Sequence, residues 1–235
     1  SEHGRRGCPQ RFLKLAQLPN HSYKAVIHDT AFSFLLLPKL QYEHAYLRLN
    51  DDPRGFAPHM HPQLAEAIFD NIRKGLYREI WAVSEPLAEL ARSCNSETTV
   101  RVIPNGVDWE AFENISRIQS APKRAVYLGA FNPWFDAELM ETVAKQLPDF
   151  QFDCYGPINE RAPKGDIPNL RLCGAIPFES VPQTLSQYSV GLIPFAGDTH
   201  LLDSIDPLKG LQYMAGELGI TSTDRGRLRK ALGDW

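Results

Sequence analysis

The chain alternates between short apolar runs rich in β-branched residues and longer segments whose apolar residues recur at helical spacing. The first kind of run is typical of parallel strands covered on both faces, and the second indicates amphipathic helices. The predicted strands cover residues 24–30, 44–52, 79–84, 99–108, 124–131, 150–157, 170–176, 190–195 and 220–223. The predicted helices cover residues 62–75, 85–92, 136–145 and 181–189, and a last helix starts at Asp206. This alternation predicts an α/β protein with parallel sheets.

The strand–helix pattern begins again after a polar, proline-containing segment, SRIQSAPK at 116–123. We therefore predict two domains, over residues 1–115 and 116–235. The 235 residues carry a net charge of −3, so the composition gives no indication of a nucleic-acid partner. The longest apolar run, 31–38, is too short to span a membrane. We expect it to be a core element, with insertion into a membrane interface as the alternative.

The cysteines and histidines give little indication of a disulfide framework or a metal site. Cys8, Cys94, Cys154 and Cys173 are scattered, so we expect buried free thiols in a reducing compartment, with a disulfide or metal framework as the alternative. His59 and His61 fall in a loop bracketed by prolines, without a carboxylate or cysteine at ligand spacing, so we predict no bound metal.

The stretch DPLKGLQYMA at 206–215 places a lysine at an unfavourable position. Asp206 is expected to cap a helix with Pro207 at its first position, which puts Lys209 in the first turn. A cation at this end costs about 0.3–1 kcal/mol unless an anion is near. Gln212 shares the face of Lys209. The stretch therefore favours an anion site at the helix N-terminus, and the alternative is a surface lysine that extends into solvent.

Several predicted strands end in residues that can carry acid–base chemistry. Asp51 and Asp52 follow the second strand, and His28 closes the first. Open α/β sheets bind ligands at this edge, and a carboxylate there suits a general base. Adjacent carboxylates point to different sides, so only one of the pair is expected to face a ligand. The alternatives are that Asp52 starts a turn and that His28 is a hydrogen-bonded structural residue.

One longer motif resembles a known enzyme group. VIPNGVDWEAF at 102–112 contains Pro-Asn-Gly-Val-Asp followed by an aromatic residue, which resembles the start of the second domain in GT-B glycosyltransferases. The stretches at 127–140 and 170–195, and the helix that contains Lys209, resemble successive parts of the donor domain in that group. The Lys209-x-x-Gln212 pair is similar to that of the xanthan-type glucuronosyltransferases (GumK-like) and of family-four-like transferases.

This resemblance implies two Rossmann-like domains facing a cleft, with the acceptor on the first domain. It also implies transfer of a sugar from a nucleotide-sugar to a glycan or lipid-linked oligosaccharide in polysaccharide biosynthesis, for example of an exopolysaccharide. A UDP-sugar such as UDP-glucuronate would be the donor, used as a substrate without a permanently bound cofactor or metal. The expected location is the cytoplasm, with peripheral contact at the cytoplasmic face of the membrane and no nucleic acid.

The resemblance also implies roles for individual residues. In an inverting enzyme the base would be Asp51, with Asp52 as the second choice and His28 near the donor sugar. The residues implied in donor binding are Gly129, Phe131, Asn132, Tyr155, Ala175, Ile176, Phe195, Leu208, Lys209 and Gln212. Ala175 and Ile176 stand where the xanthan-type pattern has a charged residue and a methionine, and Phe195 replaces a tyrosine.

Compared with a complete GT-B enzyme, the sequence is expected to lack parts of its first domain and its C-terminal end. Three other functions stay open. The first is a retaining transferase of the same fold, which needs no such base. The second is a non-catalytic subunit that binds a nucleotide-sugar or acts as a scaffold. The third is a nucleotide-sugar epimerase, which converts the donor without an acceptor.

Overall fold

The computed structural model describes residues 21–29, 37, 40–56, 62–115, 123–197 and 200–223. The strands are β1 (Ser22–His28), β2 (Gln41–Leu49), β3 (Glu79–Ala82), β4 (Thr99–Val102), β5 (Arg124–Leu128), β6 (Gln151–Tyr155), β7 (Leu170–Gly174), β8 (Val190–Ile193) and β9 (Gly219–Ser222). The helices are α1 (Pro62–Arg73), α2 (Glu85–Cys94), α3 (Glu110–Glu113), α4 (Ala137–Gln146), α5 (Val181–Leu185), α6 (His200–Ser204) and α7 (Leu208–Ala215). Short 3-10 turns cover Pro53–Phe56 and Phe178–Ser180.

The described residues divide into two units. The first contains residues up to 104 together with 200–206, and the second contains the rest. The sequence predicted the boundary after residue 115, whereas α3 lies with the second unit. The side chains of Trp109, Phe112 and Ile115 line a pocket with Pro182 and other residues of that unit.

The first unit is a parallel sheet in the order β1-β2-β3-β4. Its core forms where apolar residues of β2 and β3 meet the buried faces of α1 and α2. Because β2 and β3 run through the middle of the sheet, their inward side chains, such as Leu47 and Ile80, are fully buried. Helix α6 also belongs to this unit, and the Ser84 hydroxyl donates a hydrogen bond to the Ser204 carbonyl at 2.7 Å.

The second unit is a parallel sheet in the order β7-β6-β5-β8-β9. The chain moves from β5 outward to β7 and then returns to the other side of β5 with β8. The border between β5 and β8 is therefore a topological switch point, where open α/β sheets bind ligands. These two strands pair only at Ala125–Val190 and Val126–Gly191, so they are unpaired toward their carboxyl ends.

Most of the predicted elements are confirmed within one to three residues, and the differences have local causes. The last helix begins at Leu208 because Pro207 is extended (φ −73°, ψ 109°) and occupies the N-cap position without a capping side chain. The prediction that Asp206 caps this helix is therefore wrong, although Lys209 does lie in its first turn. The sequence did not predict α6, whose Leu201 and Leu202 are buried.

The predictions about the cysteines, the histidines and the apolar run can be compared with the structure only in part. Cys94, Cys154 and Cys173 are free thiols, and of these only Cys154 is fully buried. Cys8, His59 and His61 lie outside the described residues, as does the apolar run at 31–38 except for the buried Leu37. In the part of the chain that the structure describes, no helix is long and apolar enough to cross a bilayer.

Candidate functional site

A pocket of about 350 Å³ opens at the carboxyl edge of the second sheet, beside the switch point between β5 and β8. This volume is in the usual range for small-ligand sites. The loops after β5, β6 and β7 and the first turns of α5 and α7 form its walls. The lining residues are Leu128, Gly129, Ala130, Tyr155, Gly156, Pro157, Ala175, Ile176, Phe178, Val181, Leu208, Lys209 and Gln212.

Lys209 places a half-buried amino group in this pocket. Its Nζ atom lies 4.5 Å from the ring centre of Tyr127 and 4.9 Å from that of Phe195. It also donates a hydrogen bond to the Tyr127 hydroxyl at 3.5 Å. No carboxylate among the described residues pairs with it, and burial lowers the pKa of Lys209 to about 7. Within the described ranges, this lysine therefore lacks a negative partner.

The position of Lys209 follows from how α7 is fixed on the sheet. Tyr213, one turn after Lys209, is fully buried, and its hydroxyl lies where β5 and β8 separate. The Leu128 amide donates to this hydroxyl at 3.0 Å, and the hydroxyl donates in turn to the Leu192 carbonyl at 3.3 Å. Because the phenol replaces the missing strand pairing, the first turn of α7 is held over the end of β5.

Gln212 adds an uncommitted amide on the same helix face. Gln212 is 5% exposed and lines the pocket. Its side chain makes no hydrogen bond to any residue in the described ranges. An amide offers two N–H donors and one carbonyl acceptor. Together, Lys209 and Gln212 present donors to the pocket next to the first turn of α7, where the Gly210 amide donates to the Pro207 carbonyl at 2.9 Å and the amides of Leu208 and Lys209 have no acceptor within the helix.

Two glycines let the loops approach this closely. A Cβ atom at Gly129, where φ is +151°, would lie 3.0 Å from Lys209 Nζ and so compete with the ammonium for space. A Cβ atom at Gly156 would lie 2.0 Å from the Gly129 carbonyl oxygen. Both positions therefore require glycine for the observed backbone.

Much of the remaining lining is apolar. This part is formed by Pro157, Ala175, Ile176, Phe178 and Val181. Tyr155 also lines the pocket, and its hydroxyl lies 3.0 Å from that of Tyr188. Tyr188 donates to the buried carboxylate of Asp153 at 2.6 Å, so the Tyr155 hydroxyl must donate to Tyr188. This chain of hydrogen bonds holds the Tyr155 ring in place.

Most of the predicted donor-binding residues line this pocket, but three do not. Phe195 lies beneath the Lys209 ammonium and contributes a ring face. Phe131 packs in the core, with its ring 5.0 Å from that of Phe135. Asn132 lies in a turn that ends with the Phe135 amide donating to the Asn132 carbonyl at 2.9 Å.

In the first unit, Asp51 follows the carboxyl end of β2. Its side chain is partly buried, and burial raises its pKa above the usual range of an aspartate. It makes no hydrogen bond or ion pair with the residues that the structure describes. A carboxylate with a raised pKa and no structural partner has the properties of a general base.

Asp52 has a different environment. Its carboxylate is buried and receives hydrogen bonds from the Arg54 amide at 2.9 Å and from the Arg54 guanidinium at 2.6 and 3.0 Å. Arg54 also lies over the ring of Phe69, 5.8 Å from its centre. The carboxylate thus stabilises the turn at Pro53–Phe56, and both charged groups are committed to each other.

His28 ends β1 with its ring buried against Tyr77, at a centroid distance of 5.2 Å. Nδ1 donates to the Asp29 carbonyl at 3.3 Å, so in the neutral ring Nε2 is an acceptor. That Nε2 atom is buried and has no partner in the described ranges. Burial lowers the pKa of His28 despite the favourable contact with Asp29, so the imidazole is neutral near pH 7.

Comparisons with known proteins identify this architecture. A sucrose-phosphate synthase from Thermosynechococcus elongatus matches with a TM-score of 0.64 at 14% identity, over 88% of this chain and 58% of that one. A variant of TarM from S. aureus, in complex with fondaparinux, α-GlcNAc-glycerol and UDP, matches with a TM-score of 0.61 at 14% identity, over 84% and 41%. HepE from Anabaena, in complex with UDP and glucose, matches with a TM-score of 0.61 at 10% identity, over 85% and 57%.

The chain has the GT-B fold. It spans between 41% and 58% of the length of these structural neighbours. No protein-family model and no curated protein matches the sequence. The likeness to these neighbours therefore concerns the fold, and the predicted GumK-like specificity stays a prediction.

Within this GT-B chain, the structure adds site residues that the sequence did not indicate. The Tyr127 ring faces the Lys209 amino group, and Phe178 lines the pocket. The sequence could have indicated Tyr127, because it stands one residue before the end of β5 and side chains alternate between the two faces of a strand. Phe178 had no such signal, since its exposure depends on the 3-10 turn after Pro177.

Proposed function

We propose that this chain is part of a glycosyltransferase that transfers a sugar from a UDP-sugar to a hydroxyl group of a glycan or lipid-linked acceptor. The observation that carries the proposal is the position of the Lys209 amino group over the rings of Tyr127 and Phe195, in a pocket at the first turn of α7, with no carboxylate partner among the described residues. A diphosphate supplies the negative charge that this group lacks. The complexes of TarM and HepE with UDP support the choice of nucleotide.

We further propose inversion with Asp51 as the general base. In this step the acceptor hydroxyl attacks the anomeric carbon and gives its proton to Asp51. The bond from that carbon to the diphosphate breaks, and the electron pair leaves with the diphosphate. Lys209 and the N-terminus of α7 stabilise the negative charge on this leaving group. The step needs no redox change.

The Lys209-x-x-Gln212 pair favours UDP-glucuronate as the donor, because it resembles that of the xanthan-type enzymes. A role in exopolysaccharide synthesis at the cytoplasmic face of the membrane follows from the same resemblance. So does the expectation that the reaction needs no metal.

The proposal is tested by calorimetric titration of the chain with UDP, followed by UDP-glucuronate, UDP-glucose and GDP-mannose. We expect UDP to bind, and the Lys209→Ala variant to bind it at least about tenfold more weakly, since a charge-assisted contact is worth roughly 1.5–3 kcal/mol. A Lys145→Ala variant is the matched control, because Lys145 lies in the last turn of α4 and does not line the pocket. Absence of nucleotide binding by the folded chain would contradict the proposal.

Three product assays separate the alternatives once binding is established. The anomeric configuration of the product distinguishes inversion from retention. Conversion of the sugar nucleotide without any acceptor would indicate an epimerase. Binding without turnover on any acceptor would indicate a scaffold or binding subunit.

A further inference from the structure

A second pocket in the second unit is lined by aromatic and acidic side chains. Its volume is about 310 Å³, which is in the usual range for small-ligand sites. It lies beside the last turn of α7, whereas the pocket of Lys209 lies at the first turn of the same helix. Its lining includes Trp109, Phe112, Glu113, Ala215, Gly216 and Glu217. We call it the acidic pocket, because the described residues that line it include two glutamates and no lysine, arginine or histidine.

Helix α7 ends in a Schellman motif with a glutamate at the position that glycine usually takes. The Glu217 amide donates to the Met214 carbonyl, and the Leu218 amide donates to the Tyr213 carbonyl, both at 2.9 Å. Among the described residues, Glu217 is the one residue other than glycine with a positive φ, at +50°. This left-handed conformation is strained for a residue with a Cβ atom, so the backbone alone does not favour a glutamate here.

The charge of Glu217 is also unfavourable at this position. The C-terminal end of a helix carries a partial negative charge, which repels a carboxylate and attracts a cation. The carbonyls of Ala215 and Gly216 accept no hydrogen bond from a backbone amide of the described residues. The end of α7 therefore presents acceptors and negative charge to the acidic pocket, and a bound cation would relieve the repulsion.

Two aromatic rings line the same pocket. Trp109 is the N-cap residue of α3, and the Phe112 amide in that helix donates to the Trp109 carbonyl at 2.9 Å. Trp109 is 53% exposed, and indole is the aromatic group that attracts cations most strongly. Glu113 closes α3 and adds a carboxylate that makes no hydrogen bond or ion pair with the residues that the structure describes.

We propose that the acidic pocket binds a small organic ammonium ion, that is, a primary amine on an apolar body. The ring faces attract its charge, and the carboxylates and helix carbonyls accept its N–H groups. A neutral ligand would leave the repulsion at the end of α7 unchanged, and an anion would increase it. This proposal is independent of the proposed function, because no residue that lines the acidic pocket also lines the pocket of Lys209.

The test compares 2-phenylethylammonium with 2-phenylethanol by calorimetric titration of the chain at pH 7. The two probes have the same apolar body, but the alcohol carries a neutral hydroxyl in place of the ammonium group. We expect the ammonium ion to bind at least about tenfold more tightly, because only its charge is attracted by the ring faces and the carboxylates. Trp109→Ala should weaken its binding about 2- to 30-fold. Glu217→Gln should weaken it at least about fivefold.

Glu110→Gln is the matched control for these variants, because Glu110 lies in α3 and does not line the pocket. Its affinity for the ammonium ion should equal that of the wild type. Trp109→Ala should also keep the wild-type affinity for UDP, so a loss of ammonium binding is distinguishable from a failure of the donor site.

Glu217→Gly separates a ligand site from a structural role. Glycine adopts the left-handed conformation without strain and removes the charge from the helix end. We therefore expect a Tm about 2–4 °C higher together with a weaker affinity for the ammonium ion. A lower Tm for this variant would overturn the proposal, because Glu217 would then stabilise the fold itself.

Three binding results would also overturn the proposal. The first is an equal affinity for the two probes. The second is a dissociation constant for the ammonium ion weaker than about 10 mM in the wild-type chain. The third is binding that Trp109→Ala and Glu217→Gln both leave within twofold of the wild type, since the ion would then bind elsewhere.

Discussion

At the residue scale, the charge of Lys209 is linked to occupation of the pocket. The ring faces of Tyr127 and Phe195 attract the ammonium, but burial still lowers its pKa to about 7. A bound diphosphate favours the charged form and raises this pKa. Binding of the nucleotide must therefore take up a proton when the pH is above 7.

We expect the affinity for UDP to fall between pH 7 and pH 9, by up to about tenfold per pH unit. The terminal phosphate of UDP has a pKa near 6, so the ligand keeps its charge over this interval. Burial also raises the pKa of Tyr127, whose ring faces Lys209, and of Tyr213, which lies on the same helix as Lys209. Both phenols therefore stay neutral over this pH interval. Calorimetry at several pH values, in buffers with different ionisation enthalpies, measures both the affinity and the proton uptake.

The Lys209→Arg variant is the matched control for this pH dependence. Its guanidinium stays charged over the whole interval, so its affinity for UDP should vary little with pH. A wild-type affinity that is equally flat would show that Lys209 is already charged in the free pocket, in conflict with its burial.

The two adjacent aspartates of the first unit should respond differently to mutation. Asp51→Asn removes the proposed base without removing a structural contact, so we expect turnover to fall by about 10²- to 10⁴-fold. Its thermal stability and its affinity for UDP should be unchanged. Asp52→Asn breaks the ion pair with Arg54, so its main effect should be a lower Tm. Turnover of Asp51→Asn within twofold of the wild type would exclude Asp51 as the base.

The acid pair also shows how far the sequence alone reaches at this scale. The sequence placed both carboxylates at a strand end and predicted that only one would face a ligand. The family resemblance ranked Asp51 first, but the residue pattern did not show how the two environments differ, because that difference depends on the Arg54 side chain folding back onto Asp52 in a turn. That contact is local in sequence, but the burial that makes it strong comes from the rest of the unit.

At the element scale, the placement of α7 depends on one phenol. The Tyr213 hydroxyl accepts from the Leu128 amide at the point where β5 and β8 separate. We expect Tyr213→Phe to leave that buried amide without a partner and to lower the free energy of unfolding by about 1–3 kcal/mol. The affinity for UDP should fall as well, because α7 carries Lys209. Urea denaturation and UDP titration of the same preparation measure both effects, and unchanged values for both would contradict this role.

Strand β6 contains a second structural centre, the buried carboxylate of Asp153. Burial alone would raise its pKa, but hydrogen bonds from Arg171, Tyr188 and Arg124 lower it overall. The stabilisation is therefore present at neutral pH and is lost as the pH falls through the lowered pKa of Asp153. We expect Asp153→Ala to lower the free energy of unfolding by about 1–3 kcal/mol, because it leaves the buried Tyr188 hydroxyl without its acceptor, whereas the side chains of Arg124 and Arg171 are 22% and 60% exposed and can be hydrated.

The matched control for this variant is Asp149→Ala. The Asp149 carboxylate is 81% exposed and lies 3.5 Å from Lys123, so its removal should cost less than about 1 kcal/mol. Equal losses for the two variants, measured by chemical denaturation at pH 7, would show that the Asp153 cluster adds no stability beyond that of a surface pair.

Most elements could be predicted because their apolar patterns are local. The prediction that Lys209 and Gln212 share a face of the last helix follows from helical spacing, and both line the pocket. The start of that helix was misplaced, because proline is acceptable both at the first helical position and just before it. The extended backbone of Pro207 decides between these options, and this backbone conformation could not be predicted from the residue types alone.

At the scale of the whole molecule, the sequence predicted two α/β units with parallel sheets, and the GT-B fold is confirmed by the structural neighbours. The return of residues 200–206 to the first unit could not be predicted. Helix α6 is only about one turn long. Its position in the first unit depends on the burial of Leu201 and Leu202 and on the hydrogen bond from the Ser84 hydroxyl to the Ser204 carbonyl. Such contacts join residues more than 100 positions apart.

The most direct test of the donor site is a crystal structure of the chain with UDP. We expect the diphosphate to lie within hydrogen-bonding distance of Lys209 Nζ and of the first amides of α7. A diphosphate bound elsewhere, for example in the pocket lined by Trp109, Phe112 and Pro182, would contradict the assignment of Lys209 as the group that binds the donor.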